Sequence, residues 1–545
     1  MKTLQKPLWG KCHQVAFISF CPKINNDMKN NDDLVLTIDF GTQSVRVSIF
    51  DSQGNVLAQE KQQYEKPYFS TKPGYAEQYP NVYFDKMAEA SKRIISEHSE
   101  LVPKIKGLSM TCFRDTAVYL DKNRNIIRPT ILWLDQRYAK CEKKLPLLSR
   151  AAFKLVGMDE VIRMNRRRTA MNWIKENEPE NFEKIDKYVA ISTYFIYRLT
   201  GNLKDSASDY TGHYPIDFKK GQFYKKPEKH LQGQIFSIKK EQLCELVPGL
   251  SLLGNVTEEA SKLTGIPAGL PMYAAGSDKA CETLGSGVID ETSLAVSLGT
   301  ACTIETTMER YVGPDKFLPA YPFVLPNHFN MDFQIYRGFW MINWFLKEFG
   351  AQTIADLMAE EQGDPSRFNE GLKSVPPGSD GLLLQPYWGS QLDRPLVKGA
   401  IVGFSDSTTQ MHFYRSLIEG IAFELRGAKE RFEKNLKHPF DKIHIAGGGA
   451  VSDEVCQIMA DILYLPVSRA QTIETSSLGA AMSAYIAMGT YTVKEAKENM
   501  FRETKVFEPN PENKKTYDDL YQNAYSKLYG SLSDIYAFLF KFNDK

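Results

Sequence analysis

The chain has 545 residues, more than one ordinary hydrophobic core accommodates, so two or more domains are expected. A composition of 43% hydrophobic and 12% aromatic residues fits a well-buried globular protein. Lys plus Arg number 67 against 66 Asp plus Glu, a formal net charge of +1, so no long-range field favours nucleic acid or a membrane and any phosphate site must be local.

Residues 1–32 hold only a short apolar patch, Val15 to Phe20, which is shorter than a signal-peptide core and lacks a small-residue cleavage site. They read as a disordered extension, with Met28 as an alternative start. The most informative segment follows, Leu34 to Asp51: an apolar strand, a tight turn at Gly41, and a second strand alternating back. Gly41 lets the backbone approach an anion, Thr42 and Ser44 offer donors, and Asp39 at the strand end can hold magnesium through water. An ordinary hairpin satisfying its own turn would look the same. Tyr83 to Ser99 has helical spacing, Ile105 to Met110 and Ala117 to Leu120 read as strands, and residues 148–178 and 187–199 read as helical. Residues 205–245, polar, aromatic and Lys-rich, suggest surface excursions. Strand, turn and helix return from Pro271 through Gly276-Ser277-Asp278 to Leu284.

The hairpin then recurs at Leu294 to Thr307, with Gly299-Thr300 in the turn and Ser297 where the first copy has Asp39. Two such hairpins suggest a duplicated architecture clasping a phosphate chain from both sides, with a metal on one side only. The expected division is 33–284, 285–500 and a helical tail over 501–545. An amphipathic helix is expected near Gln410 to Glu433, with Leu417, Ile418, Ile421, Leu425, Ala428 and Phe432 on its apolar face. Strand Lys442 to Ala446 enters Gly447-Gly448-Gly449-Ala450, and Ser452 is placed to cap the next helix. A small-residue helix follows at Leu478 to Ala484, and the tail from 510 reads as a surface brace. The eight cysteines show neither paired spacing nor scaffold density, and no apolar run approaches the roughly 20 residues that span a bilayer, so a soluble, reduced, cytoplasmic setting is expected.

From about residue 33 to 500 the ordered motifs resemble the FGGY family of carbohydrate kinases. They are Asp39-Phe-Gly41-Thr42-Gln43-Ser44, Gly74 to Pro80, Ile131 to Arg137, Gly276-Ser277-Asp278, Ser297 to Thr300, Arg415 with Glu419-Gly420, and Gly447 to Ala450. The resemblance implies an α/β fold of two actin-like, ribonuclease-H-like domains around a central cleft, and transfer of the γ-phosphoryl group of ATP to a hydroxyl. It implies Asp278 as the base, a residue that could equally cap its helix. It makes Asp39 and Asp278 the magnesium acids. Thr42, Gln43, Ser44 and Arg46 then line the phosphates, although Arg46 could equally be a solvated strand residue. Gly299 and Thr300 approach the γ-phosphate, and Gly448 and Gly449 lie under the adenosine, with Asn343 and Asp453 as further nucleotide contacts.

For the acceptor, the resemblance points to Arg114, Asp115 and Trp133, where glycerol kinases carry an Arg-Glu pair and a tryptophan. A donor fork beside a carboxylate suits vicinal hydroxyls. The bland alternatives are a local salt bridge and a core aromatic. Lys279 departs from the usual Gln or Asn, and can either lower the pKa of the base or pair with an acidic substrate. A ketopentose such as xylulose is the first expectation, from Glu77-Gln78 and Asp135-Gln136-Arg137. Glycerol is second, from Arg114-Asp115. A reading of another class is an actin-like ATP-binding sensor or assembly module. Neither nucleic acid nor membrane is expected as a partner, and a homodimer is possible.

Overall fold

The computed structural model describes residues 32–315, 318–350, 365–388, 394 and 396–543. The extension expected over residues 1–32 lies outside them except for Asp32. Six strands form the first sheet: β1 (Leu34–Phe40), β2 (Ser44–Phe50), β3 (Val56–Gln63), β4 (Ile105–Cys112), β5 (Leu252–Asn255) and β6 (Pro271–Tyr273), in the spatial order β5-β6-β4-β1-β2-β3. All seven residues of β1 are buried, as suits a strand pairing parallel with β4 on one side and antiparallel with β2 on the other.

The second sheet comprises β7 (Ser293–Leu298), β8 (Cys302–Met308), β9 (Tyr321–Pro322), β10 (Phe329–Ile335), β11 (Lys442–Ala446), β12 (Val467–Ala470) and β13 (Glu503–Phe507), ordered β9-β10-β8-β7-β11-β12-β13. From β10 to β13 it repeats the first sheet from β3 to β5 in order and direction. The hairpin strands are antiparallel, the next two pairings parallel, and the last antiparallel. The duplication expected from two hairpins thus extends through six strands.

The sheets carry separate hydrophobic cores, and a third cluster joins them through Val35, Phe50, Cys281, Leu284, Leu478 and Met482. Two helices cross there, Asp278–Gly285 and Thr475–Ala487. A Cβ on Gly479 would lie 1.8 Å from the Cys281 carbonyl oxygen, and one on Gly285 1.9 Å from that of Thr475, so the crossing requires glycine at both points. The amphipathic helix runs from Gln410 to Leu436 with all six expected apolar residues buried.

Several expectations are corrected. The helix expected from Tyr83 spans Pro80–Glu97, because a proline suits the first helical position. The segment 148–178 is broken into helices Leu147–Leu155, Asp159–Arg168 and Ala170–Asn177. Gly157, at φ +72°, and Thr169, in an extended conformation, interrupt it. Lys187–Ala190 is a strand paired with Ala117–Leu120, and helix begins only at Ile191. The tail lies on the surface, as expected, and is anchored through a few tyrosines: the Tyr517 hydroxyl sits between Arg415 and Glu419, and Tyr525 donates to the Gly420 carbonyl at 3.1 Å.

Candidate active site

A cavity of about 1040 Å³ is walled by both halves of the chain. Thr42, Arg114, Asp115, Trp133, Asp278 and Lys279 come from the first, Gly299, Thr300, Asp332 and Tyr336 from the second. Residues 211–236, expected as surface excursions, contribute Thr211, His213, Tyr214 and Phe236 to the same wall. Their polar and aromatic composition is that of a cavity lining, which sequence alone does not distinguish from a solvated loop.

In the first hairpin the Gly41 amide donates to the Ser44 carbonyl at 3.0 Å, closing the turn, and Trp133 Nε1 donates to Thr42 Oγ1 at 3.0 Å. Trp133 is therefore tied to the turn and is not simply a core aromatic. Ser44 is buried, and the exposed Gln43 accepts from the Tyr64 amide through its carbonyl. Arg46 Nε lies 2.8 Å from Glu474 and its Nη1 3.9 Å from Asp39, so Arg46 is not a freely solvated strand residue. Asp39 is buried and accepts from Ser477 at 3.4 Å. Burial pushes its carboxyl up to about 7, Arg46 opposing and Glu474 and Asp278 adding to the rise.

The second hairpin carries no charge at its turn. Ser297 pairs in register with Thr303 as Asp39 does with Arg46. The Gly299 carbonyl accepts from Phe339 at 3.0 Å and the Thr300 carbonyl from Trp340 at 3.4 Å, tying the turn to the helix Trp340–Phe349. Gly338 presses on the base of this hairpin, where a Cβ would lie 2.3 Å from the Cys302 nitrogen.

Asp278 opens its helix, and its carboxylate accepts from the Lys279 amide at 2.9 Å. It thus serves the helix end while lining the cavity. Burial raises its pKa, Lys279 and Arg114 oppose the rise, and Glu282 adds to it. The Lys279 ammonium pairs with Glu282 and is held charged by Glu282, Asp278 and Glu305 against the cost of burial. Of the two roles expected for Lys279, tuning the neighbouring carboxyl is seen in the pull on Asp278, while Lys279 also lines the cavity where a substrate would lie.

Arg114 and Asp115 do not form a local salt bridge with each other. Arg114 reaches across the cavity to an ion pair with Asp332 on β10 and lies 5.3 Å over the Tyr321 ring. Asp115, at φ +59°, holds His213 Nδ1 at 2.9 and 3.1 Å. Asp332 and His213 were missed in the sequence because neither stands in a motif; each is brought in from a distant segment.

At the glycine turn, Gly447 has φ +86° and a Cβ there would lie 2.8 Å from the Leu298 carbonyl carbon. A Cβ on Gly449 would enter the Phe339 ring, whereas Gly448 faces open space. Ser452 caps the helix Asp453–Leu463, accepting from Val455 at 3.3 Å. Asp453 is committed to ion pairs with Arg469 and Lys505, and Asn343 is exposed; neither lines the cavity, nor do Asp39, Gln43, Ser44, Arg46, Gly448 and Gly449. Glu77 is held by Arg128 and Arg137, and Asp135 by Arg137 and the Ala76 amide, so these acids secure the wall.

Two matched α/β domains whose glycine-threonine turns line one cavity together with Asp278 have the make-up of a phosphotransferase cleft. The chain matches the N-terminal domain of the FGGY family of carbohydrate kinases over residues 34–285 and its C-terminal domain over residues 294–488. It belongs to that family and is an ATP-dependent sugar kinase. It is 28% identical over 520 residues to a xylulose kinase of Lactococcus lactis subsp. lactis, covering 94% of this chain and 99% of that protein. The fold matches a ligand-bound xylulose kinase of Lactobacillus acidophilus with a TM-score of 0.77 at 24% identity, covering 93% and 100% of the two chains. A gluconate kinase of the same organism gives the same TM-score and identity, covering 93% and 99%. These structural likenesses show the fold.

Proposed function

We propose that the protein transfers the γ-phosphoryl group of ATP to a primary hydroxyl of a small ketose, xylulose being favoured by the likeness to xylulose kinases along almost the whole chain. The observation that carries this reading is that Thr42, Thr300 and Asp278 face one cavity from the two matched hairpins and the helix between them. Asp278 takes the proton of the acceptor hydroxyl, whose oxygen forms the new bond to phosphorus as the bond to the ADP oxygen breaks. Thr42, Gln43, Ser44 and Arg46 serve the phosphates from the first hairpin and Gly299 and Thr300 from the second. Gly448 and Gly449 underlie the nucleotide, with residues 33–284 holding the sugar and 285–500 the nucleotide.

Among the described residues no three His, Cys, Asp or Glu side chains cluster as a metal site. The Asp278 carboxylate adds to the raised pKa of Asp39, and two acids near enough to interact suit a cation held partly through water and phosphate oxygens. Mg²⁺ held there would neutralise charge on the phosphate oxygens. The six described cysteines are all free and no described helix is long and apolar enough to cross a membrane, which supports a cytoplasmic enzyme. A homodimer remains part of the reading without a specific interface. Glycerol is the second acceptor, supported by Arg114 and Asp115, which both line the cavity.

The test is ADP release from ATP and Mg²⁺ over a panel of ketoses, polyols and sugar acids, with Asp278→Asn alongside. Xylulose should give the highest kcat/KM. If no acceptor raises wild-type turnover above that of the variant, the reading fails; a preference for sugar acids would remove the ketose assignment.

A further inference from the structure

Resting on the sugar-kinase reading, we infer that His213 is a specificity-determining residue, presenting its Nε2 to a non-reacting hydroxyl of the acceptor, and that Asp115 acts through it. Both oxygens of Asp115 lie within hydrogen-bonding distance of His213 Nδ1, at 2.9 and 3.1 Å. An ionised carboxylate only accepts, so Nδ1 carries the hydrogen and Nε2 is the ring nitrogen left to meet the acceptor, as a lone-pair acceptor in the tautomer this contact fixes. His213 lines the same cavity as Arg114, Trp133 and Asp278, and its Nε2 makes no hydrogen bond among the described residues.

The backbone is shaped around this contact from both sides. Asp115 is a non-glycine residue held at φ +59°, a conformation that costs energy and persists only where its surroundings enforce it. Gly212, immediately before His213, has φ +62°, and a Cβ there would lie 2.9 Å from Asp115 Oδ1. Two separate segments thus adopt left-handed backbone to bring carboxylate and imidazole together on the cavity wall.

The chemistry is that of hydroxyl recognition. Each sugar hydroxyl gives one hydrogen bond and takes others, so it needs an acceptor as well as a donor. Arg114 supplies only donors, and both oxygens of the adjacent carboxylate expected to accept are turned onto His213 Nδ1. Nε2 moves the accepting position from the end of the short Asp115 side chain to the far side of an imidazole ring. A ring lone pair at that position suits a hydroxyl of a ketose or polyol.

The experiment compares His213→Ala, His213→Gln and His213→Asn with wild type, using ATP and Mg²⁺ with D-xylulose and with monodeoxy analogues that each lack one non-reacting hydroxyl. Gln places a polar group near the Nε2 position; Asn places one near Nδ1, where it can still meet Asp115. The wild type should lose roughly 10- to 100-fold in kcat/KM on one analogue. The Ala and Asn variants should lose a similar factor on D-xylulose, mostly in KM, and less than about threefold further on that analogue. Gln should recover part of the loss. Rescue by Asn but not by Gln would show that His213 merely supports Asp115 and would overturn the inference, as would an equal loss on every acceptor. Wild type inactive on all sugars and polyols would instead overturn the kinase reading on which it rests.

Discussion

The two hairpins share strand directions and a glycine-threonine turn, yet differ in what lies beneath the turn. The first holds Asp39 buried against Arg46, Glu474 and Ser477, and its Thr42 is tied to Trp133. The second holds Ser297, and its turn is fastened by backbone bonds to Phe339 and Trp340. The scaffold was duplicated; the charge was not. A cleft that must bind a polyanion and a cation gains from this asymmetry, because a second buried acid would repel the phosphates without adding a metal ligand.

The sharpest challenge to this comparison targets the carboxylate between the hairpins. Asp278→Asn should lower kcat by about 10²- to 10⁴-fold with little change in thermal stability, measured by coupled ADP release and by scanning calorimetry. Moving the charge to the other copy comes next. Ser297→Asp should cost about 3–5 kcal/mol, since Ser297 is buried on β7 with no cation described beside it, and would appear as a fall in the urea midpoint at pH 8. A variant as stable as wild type would mean the two turns are interchangeable.

Asp39→Asn probes the same asymmetry through pH. The folded carboxyl keeps its proton up to about pH 7, whereas the unfolded one ionises near its ordinary value of 3.8. Between these values the folded chain binds more protons, so its stability falls as pH rises and stays lowered above 7. The variant removes that fall. In the absence of nucleotide it should gain on the order of 2–4 kcal/mol at pH 8 and almost nothing at pH 4, read from paired urea titrations.

Gly479→Ala tests the crossing that holds the halves in register. With its new methyl 1.8 Å from the Cys281 carbonyl, it should cost about 1–3 kcal/mol and raise KM for both substrates. The smallest effect belongs to Trp133→Phe, which keeps a ring on the cavity wall and deletes only the hydrogen bond to Thr42. About 0.5–1.5 kcal/mol is expected, a three- to tenfold rise in KM with kcat nearly unchanged.

Legibility followed the range of the determining interaction. The hairpins, the helix from Gln410 and the cap at Ser452 were readable because alternation, 3.6-residue periodicity and capping are local. The segment 148–178 misled because its apolar spacing continues through points where Gly157 and Thr169 turn the backbone. Arg114 and Asp115 were correctly singled out, but their partners were not, since Asp332 and His213 arrive from segments separated by hundreds and by nearly a hundred residues.

The sequence by itself determined the class: the order of Asp39-Phe-Gly41-Thr42, Gly276-Ser277-Asp278, Ser297-Leu-Gly299-Thr300 and Gly447-Gly-Gly resembles that of the FGGY carbohydrate kinases, and short motifs survive in sequence because each is formed by neighbouring residues. Only the tertiary structure decided how the charges are spent. It set Lys279 on Glu282, Arg114 on Asp332 and Asp115 on His213, because an ion pair or hydrogen bond depends on a few ångströms between side chains, a separation that no spacing along the chain specifies.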